Sequence, residues 1–122
     1  MDFNSVLIGS EDPAALSAYY TKLFGPPTWG DGGYTAWLIG RGVITVGPHS
    51  EVHGANAEPG RIILNLETAD VQGEFERLSA AGAIVVRAPY QFEDGPTAWI
   101  ATLADPDGNY FQLISPMELP PA

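Results

Sequence analysis

The sequence predicts an α+β fold of two tandem modules, each a strand, a helix and then several strands, with curved sheets around a concave ligand cavity. Three observations predict it. The order of strand, helix and strands occurs twice along the 122 residues. Each helical segment opens at an aspartate, Asp12 and then Asp70, and closes at a glycine, Gly25 and then Gly82. The tripeptide Thr-Ala-Trp also occurs twice, starting at Thr35 and at Thr97, about half a chain apart, and self-similarity along a chain is the signature of an internal repeat.

Residues 4–10 (NSVLIGS) alternate around a short apolar run and read as a strand. The helix that follows has Asp12 as its N-cap, Pro13 at the first helical position, where its missing N–H is not needed, and Gly25 as its stop. Residues 26–33 (PPTWGDGG) read as a Gly/Pro-rich connection that contains Trp29. Two strands follow, YTAWLIG from Tyr34 and VITVGP from Val43, joined through the turn residues GRG. The stretch from His49 to Gly60 is polar and contains Gly and Pro, so it reads as a linker.

The second half repeats this order. RIILNLET from Arg61 is a strand, the segment from Asp70 to Gly82 is a helix, and AIVVRAP from Ala83 is a strand. TAWIATLAD and NYFQLISP are strands paired through PDG, whose residues favour turns. Tyr90 and Phe92 read as loop residues ahead of that pair. The chain is thus one domain, with module 1 at about 1–50, a linker at about 49–60 and module 2 at about 61–122.

Composition narrows the function classes. A formal net charge of −10, from 5 basic and 15 acidic residues, argues against nucleic acid, which requires clustered Lys and Arg. An acidic field favours cationic small molecules or basic partners, or simply keeps the surface soluble. The absence of cysteine removes disulfides and thiolate zinc sites. No stretch approaches the roughly 20 apolar residues of a spanning helix, and the first residues lack a signal-peptide pattern. A cytoplasmic protein that does not engage membranes is expected.

Strand alternation nominates the cavity wall. One helix can cover only one face of its sheet, so the uncovered faces are expected to curve towards each other. In the first strand Val6 and Ile8 suit the helix side, leaving Ser5, Leu7 and Gly9 opposite. In the fifth segment Leu64 and Leu66 go under the helix, leaving Ile63, Asn65 and Glu67. In the last strand Phe111 and Leu113 alternate with Tyr110 and Gln112, which share the concave side, where an amide on an apolar surface suits orienting a ligand. Trp37 and Trp99 either wall the cavity with their flat faces or pack under the two helices.

The segments SEDPAALSAYYTKLFG, ETADVQGEFERLSAAGAIVV and WIATLADPDGNYFQLISP resemble the vicinal oxygen chelate superfamily, which includes glyoxalases, extradiol dioxygenases and bleomycin-resistance proteins. The resemblance covers nearly the whole chain. It implies a pair of βαβββ modules, frequent homodimers and, in metal-dependent members, a divalent ion held by His or Glu on the first and last strands of each module. Those positions fall here on Ser5 (or Asn4), Ile63, Gln112 and Ile44 or Thr45, none of which is a carboxylate or an imidazole. No cofactor and no metal are therefore expected.

His49 and His53, with Glu51 between them, have the spacing of a helical metal pair but lie in a Gly- and Pro-bounded segment without apolar periodicity. Ser5 has no histidine partner to activate it, and Glu67 stands as a lone proton acceptor. Two readings follow. The first is a metal-independent binding protein that sequesters an aromatic or cationic compound, such as an antibiotic, using Ser5, Leu7, Trp37, Ile63, Asn65, Trp99, Tyr110 and Gln112. The alternative is a glyoxalase-like lyase, isomerase or dioxygenase with an atypical or absent metal site.

Overall fold

The computed structural model describes residues 1–91 and 98–116. Phe92 and Thr97, which figure in the sequence reading, lie outside the described residues. The chain divides into two compact units, Met1–Ala55 and Asn56–Ala122. The first contains β1 (Ser5–Ser10), α1 (Pro13–Phe24), β2 (Trp29–Asp31), β3 (Tyr34–Ile39) and β4 (Gly42–Pro48). The second contains β5 (Leu64–Glu67), α2 (Val71–Ala80), β6 (Ile84–Gln91), β7 (Trp99–Ala104) and β8 (Tyr110–Ile114). Each is a βαβββ module. The sheet orders are β1-β4-β3-β2 and β5-β8-β7-β6, with the first strand parallel to the last and the remaining pairs antiparallel.

Both helices begin as their sequences dictate. The Asp12 carboxylate accepts from the Ala15 N–H at 3.2 Å, and the Asp70 carboxylate from the Gly73 N–H at 2.9 Å, so each satisfies an N–H that the helix leaves unpaired. Leu16, Tyr20 and Leu23 form the buried stripe of α1, and Val71 and Leu78 that of α2. At the C-terminal ends Gly25 (φ 85°) and Gly82 (φ 108°) turn the chain through the left-handed region that other residues avoid.

Three segments differ from the sequence reading. Trp29 opens the short strand β2, and Tyr90 lies within β6, so neither is a loop residue. Pro26, Pro27 and paired glycines conceal β2 in the sequence, and its three residues are too few to show alternation. In the second unit β5 starts at Leu64 rather than Arg61. There the Arg61 N–H donates to the Glu58 carbonyl (3.0 Å) and its guanidinium to the Glu58 carboxylate (2.7 Å), which holds Arg61 in a turn.

The DPDGN loop between β7 and β8 is organised by one buried carboxylate. Asp105 accepts from the N–H groups of Asp107 (2.9 Å) and Asn109 (3.0 Å), and the Asn109 side-chain amide donates back to it at 3.0 Å. Gly108 supplies the positive φ (83°) that closes the turn. The DPDGN run within the third segment that carries the resemblance is therefore turn architecture.

Register also decides what the repeated tripeptide means. In the first unit Thr35 faces Val46, which faces Ile8; in the second Ala101 faces Leu113, which faces Leu66. Thr35 and Ala101 are thus equivalent, and the counterpart of Trp37 is Leu103, buried like it. Trp99 has a different place in its module, so the two tripeptides are unrelated by the duplication, contrary to the sequence expectation.

Candidate functional site

Residues directly opposite in a β-ladder share a face, so each register defines rows across its sheet. In the first sheet Trp37, Ile44 and Val6 form a row on the helix-covered side. Trp37 is 2% exposed, its indole N–H donates to the Gly25 carbonyl at 3.0 Å, and its ring lies 6.1 Å from that of Tyr20. This corrects the expectation that Trp37 walls a cavity. Its bulk is needed where α1 ends, and its N–H satisfies a carbonyl there.

The uncovered face of the first sheet carries the rows Ser5–Val43–Leu38 and Leu7–Thr45–Ala36–Trp29. Leu7, Trp29 and Leu38 are about half exposed. Tyr34 adds a further ring, which lies against the Cα of Gly47 so closely that no Cβ could be accommodated there. Its hydroxyl donates to the Pro48 carbonyl at 3.4 Å. Ser5 and Leu7 lie on the face that alternation assigns to them, and Trp29, Tyr34 and Leu38 share it although the sequence reading does not nominate them. Alternation about Ala36 is the signal for Tyr34 and Leu38; none exists for Trp29, because the three residues of β2 are too few to alternate.

On the second sheet the uncovered face carries the row Asn65–Gln112–Thr102–Arg87 and, beside it, Glu67–Ile114–Ile100–Tyr90. Tyr110 lies opposite Ala104 on the same face. The Gln112 side-chain amide donates to the Thr102 hydroxyl at 3.1 Å. Ile63 precedes β5 and is half-buried. Trp99 falls on the other side by alternation with Ala101 and Leu103, is half-buried, and pairs with Ser115 through its backbone (2.8 and 3.0 Å). This too departs from the expected pocket wall. The rows thus bring Ser5 and Leu7 onto one sheet face, and Asn65, Tyr110 and Gln112 onto the other.

The register fixes the chelating positions implied by the resemblance. Ile44 points under the helix, so the counterpart of Gln112 is Thr45, and the set is Ser5, Thr45, Ile63 and Gln112. Hydroxyls, an amide and an alkyl chain do not fit a divalent cation that requires carboxylate or imidazole donors. Among the described residues no three His, Asp or Glu side chains cluster to offer another set. His49 lies in a turn, its Nδ1 accepting from the Glu51 N–H at 3.1 Å, and His53 follows in irregular chain. A separate depression of about 310 Å³ is lined by loop residues Asn56, Ala57, Glu58, Arg61 and Ile62, none of which is on the uncovered face.

The glyoxalase-like domain model matches residues 5–114, spanning both modules. The chain belongs to this family. It is part of the vicinal oxygen chelate superfamily, and the solved structures agree on the fold. A glyoxalase/bleomycin resistance protein/dioxygenase family enzyme from Burkholderia phytofirmans is 24% identical, with 96% of this chain and 100% of that one covered and a TM-score of 0.73. A glyoxalase-related enzyme from Fulvimarina pelagi is 21% identical over 94% and 88% of the two chains, also at 0.73. A glyoxalase/bleomycin resistance protein from Albidiferax ferrireducens is 18% identical over 93% and 98%, at 0.71. No curated protein matches the chain in sequence. Among the described residues no helix is long and apolar enough to cross a membrane.

Proposed function

We propose that this glyoxalase-like chain is a metal-independent small-molecule-binding protein of the cytoplasm, acting as a homodimer and sequestering an aromatic or cationic compound such as an antibiotic. The observation that carries this reading is the side-chain chemistry at the four chelating positions: Ser5, Thr45, Ile63 and Gln112 supply no carboxylate or imidazole. Each sheet's uncovered face offers small-molecule contacts instead: on the first, Trp29, Tyr34, Leu7 and Leu38 provide flat and apolar contact; on the second, the Gln112–Thr102 pair provides oriented polar groups. The names of the structural relatives, which include bleomycin resistance proteins, accord with a binding role.

Native mass spectrometry of protein purified without added metal tests the reading. The expected result is well under one equivalent of zinc, nickel, iron or manganese, with an organic ligand retained or readily exchanged. Stoichiometric metal whose removal by a chelator abolishes a lyase, isomerase or dioxygenase activity would instead support the enzymatic alternative. Glu67, on the uncovered face of β5, is the carboxylate that would act as proton acceptor in a metal-free version of that alternative.

A further inference from the structure

The row that crosses the second sheet ends at a cation that neither alternation nor composition points to. From Val85 opposite Leu103 to Arg87 opposite Thr102, β6 advances two residues while β7 advances one. From Arg87 to Tyr90 opposite Ile100 it advances three against two. Each step inserts one extra residue, the geometry of a β-bulge, and Pro89, which has no N–H to give a ladder, lies within the second. The first bulge turns Arg87 away from the side of Val85 and Leu103 and onto the face of Thr102 and Gln112. The second returns Tyr90 to that same face. As a result the Arg87 guanidinium lies over the Tyr90 ring, 3.5 Å from its centroid.

We infer that Arg87 and Tyr90, with the Gln112–Thr102 pair beside them, form a recognition site for a planar carboxylate, so that the ligand is an aromatic acid rather than an aromatic cation. A guanidinium stacked on a ring has one flat face covered and its N–H edge still available, and that edge matches the two oxygens of a carboxylate. Among the described residues no carboxylate makes an ion pair with Arg87. Glu67 is on the opposite edge strand, three strand spacings or about 14 Å away at roughly 4.8 Å per strand. The Thr102 hydroxyl and the Gln112 amide, bonded to each other at 3.1 Å, supply the polar neighbours one strand and two strands in, respectively.

The net charge of −10 does not oppose this assignment. Exposed charges beyond about 8 Å are largely screened at physiological ionic strength, whereas a guanidinium in contact with its ligand is not. The acidic field therefore slows the approach of an anion more than it weakens the bound contact. The inference rests on the small-molecule reading above and selects within it, keeping the aromatic class and replacing the cationic one.

Calorimetric titration of the full metal-free chain with 2-naphthoate, 2-naphthamide and 2-naphthylmethylammonium tests it. Naphthoate is expected to bind most tightly. Arg87→Gln should weaken naphthoate by about ten- to a hundredfold, the range for losing hydrogen bonds to a charged group, while leaving the amide within about twofold. Arg87→Lys should restore part of the loss, and Tyr90→Leu should weaken naphthoate by removing the platform. Because Arg87 is exposed, the two Arg87 variants are expected to keep the wild-type melting temperature, measured in parallel for all three. Naphthoate affinity unchanged in Arg87→Gln, or a preference for the amide or the ammonium probe, would overturn the carboxylate assignment and leave the aromatic-binding reading standing. Failure of all three probes to bind the wild-type chain would overturn both.

Discussion

Trp37 shows how one residue's role is decided by its face rather than its type. Tryptophan is largely buried whether it fills a core or walls a cavity, so the residue name alone favours neither. With 2% exposure, an N–H satisfied by Gly25 and a ring beside Tyr20, it belongs to the packing between β3 and α1. Trp37→Ala is expected to cost about 3 to 5 kcal/mol of stability, the range for emptying a large core site, as read by chemical denaturation. Trp99→Ala, at a half-buried strand end, should cost clearly less. A loss at Trp37 below about 1 kcal/mol would contradict its placement in the core.

At the scale of the element, the N-terminal cap of α2 makes an unusual demand on a glycine. Replacing Gly in a helix by Ala ordinarily stabilises by up to about 1 kcal/mol. Here Gly73 sits beneath the Asp70 carboxylate, and a Cβ would run into that carboxylate's own oxygen. The cap would have to open, and losing an Asp cap costs about 1 kcal/mol or somewhat more. Gly73→Ala should therefore leave the melting temperature unchanged or lower it. Asp70→Ala in the same protein should reverse the sign, because with the carboxylate gone the alanine regains its helical advantage; a double-mutant cycle measures this coupling. A rise in melting temperature for Gly73→Ala alone would mean that the cap is not held against the glycine.

For the molecule as a whole, the pertinent feature is the β6 edge of the second sheet. β6 is an edge strand, and Ile84, Val85 and Val86 on it are exposed in succession. Proteins usually blunt such edges with charge or cover them, since unpaired strand groups beside apolar side chains invite a partner. Covering this edge with a second copy is the simplest symmetric solution. Sedimentation at micromolar concentration is expected to give a dimer, and Val85→Lys to shift it towards monomer. A wild-type monomer under those conditions would remove the assembly from the proposed function.

The order of elements, both aspartate caps, the glycine stops and the alternating faces of β1, β5 and β8 were legible in the sequence, because each depends on neighbours within a few residues. The family was legible for a related reason, since its motifs are runs of local structure such as the Asp105 turn. What the sequence could not decide depends on pairing between distant strands. The register equates Trp37 with Leu103 rather than Trp99, and it selects Thr45 over Ile44 as the counterpart of Gln112. Two one-residue bulges bring Arg87 and Tyr90 onto the face of Gln112. A strand's side chains have a period of two, so one inserted residue moves a side chain to the opposite face, and only the partner strand shows where the insertion lies.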